Sequence, residues 1–135
     1  MIIDTSAVVA ILTDEPDARL YAAVISQTAH QSPVSMSAAT FVETAIVLDR
    51  HSNPLVGRGL ESFLREAAIT TVPLSLQQAV IARTAHRDFG RGSGHPAKLN
   101  FGDCCAYALA IDRNEPLLYK GTEFNYTDVL SALET

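Results

Sequence analysis

Met1-Ile2-Ile3-Asp4-Thr5-Ser6-Ala7-Val8-Val9-Ala10-Ile11-Leu12 opens the chain, and its reading decides the fold class. Three apolar residues with no polar alternation predict a short strand covered on both faces, as in a parallel sheet. The apolar series from Ala7 to Leu12 predicts a helix immediately after a sharp turn. Asp4 therefore falls at the carboxyl end of a strand, where open α/β sheets hold their ligands. From this stretch alone Asp4 has two readings: a helix N-cap, for which Asp, Ser and Thr are preferred, or one part of a site.

Working outward, Pro16 predicts the start of a second helix, because proline is favoured at the first helical position, and Leu20, Ala23, Val24 and Ile25 form its apolar side. Val34 to Ser37 reads as a second strand and Ala38 to His51 as a third helix, with Glu43 set among Phe41, Val42, Ala45 and Ile46. A further helical segment follows Asn53-Pro54. Thr70 to Leu74 reads as a third strand, and Leu76 to Phe89 as a long helix. Gly90-Arg91-Gly92-Ser93-Gly94-His95-Pro96 predicts a mobile loop. Asn100 caps a helix running through Asp103 to about Arg113. Leu117-Leu118-Tyr119 is the fourth strand candidate, Lys120-Gly121 a turn, and Thr127 to Leu133 a short strand or a frayed helix. Strands and helices alternate throughout, which predicts a three-layer α/β domain with a short, mainly parallel central sheet. At 135 residues the whole chain, 1–135, is expected to be one domain.

The hydrophobic fraction of 47% and charged fraction of 19% fit a water-soluble protein. No apolar run approaches the ~20 residues of a membrane span, and acidic Asp4 stands where a signal peptide would be basic. A cytoplasmic location is the expectation. Cys104 and Cys105 are adjacent, without the spacing of a metal knuckle or redox pair, and read as small apolar helix residues. The net charge of −5 argues against a nucleic-acid partner until its distribution is read. Residues 50–98 hold seven Arg and Lys against three Asp and Glu, so a basic middle lies between acidic ends. Arg83, Arg87, Arg91 and Lys98 are the candidates for contacts to a phosphate backbone.

If the sheet is parallel, the acids near strand ends and helix starts matter: Asp4, Glu43, Asp103, Glu123 and Asp128. Asp103 also suits a helix N-terminus for the macrodipole alone. Glu43 borders a face that should be buried, where an unpaired carboxylate is costly. Carboxylates gathered at one sheet edge repel one another, and an oxygen-loving divalent cation such as Mg²⁺ or Mn²⁺ relieves this. His30, His51, His86 and His95 offer no zinc spacing, no GxSxG elbow is present, and the glycine loop lacks the features of a phosphate-binding loop. Metal-assisted attack by water on a phosphoryl centre is the chemistry left. A dehalogenase-type phosphatase would need a second Asp where Ser6 stands. A phosphoacceptor receiver would need an Asp near Pro73-Leu74.

Met1 to Ala7, Glu43 in the third helix, Lys98-Leu99-Asn100-Phe101-Gly102-Asp103-Cys104-Cys105-Ala106-Tyr107-Ala108-Leu109-Ala110, and Pro116 to Gly121 together resemble the PIN-domain ribonuclease toxins of the VapC type, in order and over the full chain. The resemblance implies a PIN-like α/β/α fold, Mg²⁺- or Mn²⁺-dependent endoribonuclease activity, a cognate antitoxin protein that blocks the active site, and a homodimer. It assigns Asp4, Glu43 and Asp103 as metal-binding acids, with Thr5 or Ser6 supporting them. Such toxins commonly carry Asp-Phe after the Lys-Gly turn, whereas this chain has Glu123-Phe124. The extra methylene moves the carboxylate by about 1.5 Å, which leaves Glu123, or Asp128 in its stead, as the fourth acid. The alternative to a nuclease is a non-catalytic PIN-like module that binds RNA or a protein partner.

Overall fold

β1 (Ile2–Ile3) forms where the apolar opening predicts it, with a strand on either side. The computed structural model describes residues 1–133; residues 134 and 135 of the expected domain lie outside the described residues. With β2 (Val34–Ser37), β3 (Ile69–Val72) and β4 (Leu117–Leu118), the sheet runs β3-β2-β1-β4 and every pair is parallel. Ile2 is in register with Ser35 on one side and Leu117 on the other. Backbone bonds from Ile2 N–H to Pro116 O (2.8 Å) and from Asp4 N–H to Leu118 O (3.0 Å) fix β1 against β4. The chain steps from β1 to β2 to β3 in one direction, and β4 lies on the other side of β1. The switch point is therefore between β1 and β4, and ligands bind at the carboxyl ends of strands flanking such a point.

Alternate residues of β1 serve opposite layers, so neither face can be polar. Ile3 and Leu118 pack with α1 (Thr5–Leu12), α2 (Ala18–Ala29), α3 (Ala38–Asp49) and α5 (Leu60–Glu66), through Val8, Ile25, Leu48 and Leu64. Ile2 and Leu117 pack on the other side with α6 (Leu76–Phe89) and α7 (Phe101–Arg113), through Ala85, Ala106 and Leu109. Cys104 and Cys105 are buried in α7, as their apolar reading requires. α7 begins with a reciprocal capping box between Asn100 and Asp103 and ends at Asn114 in the left-handed conformation.

Several boundaries differ from expectation: β3 is Ile69–Val72 in place of Thr70 to Leu74, α3 stops at Asp49 short of His51, and β4 stops at Leu118 short of Tyr119. α2 starts at Ala18, two residues after Pro16, with Asp17 in the cap position. The segment after Asn53 divides into α4 (Pro54–Arg58) and α5, joined at Gly59. Thr127 to Leu133 forms neither a strand nor a helix: Ser131 makes one parallel bridge to Leu117, and a 3-10 turn at Glu123–Tyr126 precedes it. The glycine loop is also tied down. Arg91 N–H donates to Leu99 O and Leu99 N–H to Phe89 O, each at 3.0 Å, and the Ser93 hydroxyl donates to Gly90 O at 2.6 Å. The loop expected to be mobile therefore carries local hydrogen bonds of its own.

Candidate active site

Asp4 stands where β1 hands over to α1, where it caps the helix and also lines a cavity. Oδ2 caps the helix, accepting from Ser6 N–H at 3.1 Å and from the Ser6 hydroxyl at 2.6 Å. Oδ1 is buried with no hydrogen-bond partner. Burial drives the Asp4 pKa up to about 7; the two Ser6 bonds oppose this, and the charges of Asp103 and Glu43 add to it. Ser6 is fixed in turn by Lys120, whose backbone N–H donates to the Ser6 hydroxyl oxygen at 2.9 Å. β4 and β1 are thereby joined through the side chain that holds the acid.

Asp103 repeats the arrangement on α7. Its Oδ2 accepts from Asn100 N–H at 3.0 Å, and its own N–H donates to Asn100 Oδ1 at 2.8 Å. Burial raises its pKa to about 6, against the Asn100 bond, with Glu43 and Glu123 raising it further and Arg91 lowering it. Glu43 comes from α3 and is steered by a buried hydroxyl chain. Thr44 donates to Thr5 Oγ1 at 2.9 Å, and the Thr5 hydroxyl donates to Glu43 Oε1. Gly102 makes room for it, since a Cβ there would overlap the Glu43 carboxylate. Thr5 and Ser6 therefore each hold a different acid.

Asp4, Asp103 and Glu123 line one cavity of about 420 Å³ with Ser6, Arg91, Lys98 and Lys120, and Asp4, Asp103 and Glu43 line an adjoining recess. Glu123 reaches the cavity from the 3-10 turn. Asp128 does not line it: its Oδ1 accepts the Tyr107 hydroxyl at 2.6 Å. The basic set divides. Arg91 and Lys98 are at the cavity, whereas Arg83 lines a smaller pocket with His86, Phe101 and Cys104, and Arg87 is exposed beside Asp88 at 3.4 Å. The reason is that α6 ends at Phe89, so the fourfold spacing stops being helical before Arg91. Lys98 takes a φ of 51°, an uncommon left-handed value for a residue with a side chain.

Three contributors escape a reading of the sequence alone. Lys120 reads as part of a turn, yet its ammonium is clasped at the cavity edge by Glu15 (2.8 Å) and Asp17 (3.1 Å). A lysine directly after a strand at an acidic edge was the available signal. Gly102, a glycine in the first turn of a helix, was a second. Tyr126 carried none.

Among the described residues, no three His, Cys, Asp or Glu side chains stand close enough to enclose an ion by themselves. The donors nevertheless fit a hard divalent cation. Mg²⁺ keeps several waters and takes only one or two carboxylates, and Asp4 presents a buried, unpartnered carboxylate oxygen whose desolvation a cation would offset. Oxygen donors alone surround the cavity's acidic side, which suits Mg²⁺ or Mn²⁺ over softer metals.

The PIN domain profile matches residues 1–130. The chain is 52% identical over 134 residues to Ribonuclease VapC28 of Mycobacterium tuberculosis, covering 99% of this chain and 98% of that protein. It is 47% identical over 130 residues to Ribonuclease VapC of Mycolicibacterium smegmatis, covering 96% and 97%. Among solved structures, VapC20 of Mycobacterium tuberculosis, described as a Sarcin-Ricin loop cleaving toxin, superposes with a TM-score of 0.69. The match covers 96% of this chain and 95% of that one at 16% identity, a likeness of fold.

Proposed function

This chain belongs to the PIN-domain family, and from that membership we propose that it is a metal-dependent endoribonuclease toxin that hydrolyses RNA phosphodiester bonds with water as the nucleophile. The observation that carries the reading is the cavity at the switch point, where Asp4, Asp103 and Glu123 from three separate chain segments meet beside Arg91, Lys98 and Lys120. Asp4 through Oδ1 and Asp103 would hold the cation directly and Glu43 through one of its retained waters, the cation being taken as Mg²⁺ with Mn²⁺ as a substitute. Bound there, it lowers the pKa of water and offsets charge on the phosphate. Ser6 and Thr5 keep Asp4 and Glu43 aimed. Glu123, brought to the same cavity by the 3-10 turn, is the carboxylate that would accept a proton from the attacking water. Arg91 and Lys98 hold the RNA phosphates at the cavity mouth.

A cytoplasmic location is proposed with this activity, since cellular RNA would be its substrate; no described helix is long and apolar enough to cross a membrane. A cognate antitoxin protein that covers the cavity follows from the toxin reading. A homodimer is supported by the apolar face where α3 meets α7: Val42, Ile46 and Phe101 are 53%, 48% and 78% exposed beside one groove.

Incubating the purified protein with RNA and Mg²⁺ tests the reading. Cleavage should vanish in EDTA and return with Mg²⁺ or Mn²⁺. Asp4→Asn or Asp103→Asn should each slow it by more than about 100-fold, beyond what losing even a ligand's hydrogen-bond partner costs. Equal cleavage by both variants would refute the assignment of the site. RNA binding without cleavage under any divalent cation would make the protein a binding module instead.

A further inference from the structure

The chain holds five Phe and four Tyr and no Trp. Among the described residues only Phe101, at 78%, and Tyr126, at 54%, are exposed aromatics. Phe101 belongs to the apolar face beside Val42 and Ile46. Tyr126 lines the acid cavity itself.

Its placement is fixed from the inside. Tyr126 ends the 3-10 turn that begins with Glu123, and Phe124 between them is only 2% exposed. Phe124 packs against Tyr119 with ring centroids 5.0 Å apart. The Tyr119 hydroxyl donates to Asn125 Oδ1 at 2.6 Å, and the Thr127 hydroxyl donates to Phe124 O at 2.8 Å. The turn thus presents Glu123 and Tyr126 to the cavity as one rigid unit, with Phe124 as its anchor. Among the described residues the Tyr126 side chain makes no hydrogen bond, so nothing in the fold accounts for an aromatic ring at this position.

One cavity therefore combines carboxylates, cations and a flat ring. A phosphate drawn to Arg91 and Lys98, which line the same cavity as Tyr126, brings the base of its own or the neighbouring nucleotide toward that ring. Aromatic side chains stack on bases only where the bases have left their own stack, as in single-stranded loops and ends. We propose that Tyr126 is the platform on which the nucleobase flanking the cleaved phosphate stacks, restricting the enzyme to RNA that is single-stranded at that nucleotide and setting the position of the cut. The proposal rests on the ribonuclease reading above and adds to it the form of RNA that enters.

The test starts from a cut site mapped on total RNA and a single-stranded oligoribonucleotide spanning it. Each nucleotide in turn is replaced by an abasic ribose, and kcat/KM is measured for the wild type, Tyr126→Ala and Tyr126→Phe. One abasic position beside the cut should cost the wild type roughly 5- to 150-fold, the range for losing one base–aromatic stack. Tyr126→Ala should show a loss of that size on the intact oligonucleotide and no added loss on the abasic one, while Tyr126→Phe stays near wild type. Wild-type rates in Tyr126→Ala, or a full abasic penalty in that variant, would overturn the platform and leave the ribonuclease reading standing. A wild-type protein that cuts no RNA with Mg²⁺ or Mn²⁺ would overturn the ribonuclease reading, and the platform with it.

Discussion

Replacing Asp4 with Asn should change how the stability of the metal-free protein depends on pH. In the folded state burial raises the Asp4 pKa from 3.8 to about 7. Between those values the folded chain binds a proton that the unfolded chain releases. Stability from this group is therefore complete below pH 3.8 and is lost as pH rises through 7. At about 1.4 kcal/mol for each tenfold step, the cost of keeping the group folded is about 1.7 kcal/mol at pH 5 and about 4 kcal/mol at pH 8. The wild type should thus lose about 2–3 kcal/mol between pH 5 and pH 8 through Asp4, or about 8–10 °C in Tm for a chain of this size. Asn cannot titrate, yet it is as good an N-cap as Asp and keeps the bonds from Ser6. Its amide would sit unpartnered where Oδ1 now lies, a cost of about 1–3 kcal/mol that does not depend on pH. Absolute stabilities therefore decide nothing, and slopes decide. Urea unfolding followed by circular dichroism in EDTA, from pH 5 to pH 8, gives both slopes. Asp103, raised to about 6, contributes to each protein. A slope in Asp4→Asn as steep as in the wild type would refute a buried, destabilising carboxylate at position 4.

Gly102→Ala alters no acid but places a methyl group on the Glu43 carboxylate. That carboxylate ends a flexible side chain, so it should swing aside at little cost while alanine favours the helix by about 1 kcal/mol. Cleavage should fall by about 10- to 100-fold, as for a lost partner of a metal site, with Tm held or raised. Unchanged cleavage would show that Glu43 is not needed where it stands. Glu123→Gln and Asp128→Asn should part in the opposite sense. Glu123→Gln should lower cleavage and leave urea stability alone, whereas Asp128→Asn should weaken the bond from Tyr107, cost about 1 kcal/mol of stability and leave cleavage intact. The reverse pattern would move the fourth acid to position 128.

The sheet was legible because β1 must be apolar on both faces, and only a covered parallel strand asks for that. The positions of Asp4 and Asp103 were legible because strand ends and helix starts can be placed from caps and periodicity. Glu43, in the middle of α3, stood out instead as an acid bordering a face that should be buried, and the family resemblance grouped the three. What the sequence hid was of another kind. The arginine spacing of four is helical only while the helix lasts, and α6 stops two residues short of Arg91. The choice between Glu123 and Asp128 turned on a hydroxyl 21 positions away in the chain, Tyr107. Tyr126 gained its place from the burial of Phe124, and one buried aromatic among several gives no local pattern. Contacts between distant segments decided each of these cases, and periodicity carries no record of them.

The double duty of Asp4 bears on how the protein can be silenced. Oδ2 starts the first turn of α1, and Oδ1 is buried without a partner where Asp4 lines the cavity. Turning that carboxylate away would unwind the helix start and break the Ser6 link to β4. Asp4 is in this way a fixed point shared by the helix start and the cavity. A cover laid over the cavity, as proposed for the antitoxin, would leave those Ser6 bonds undisturbed.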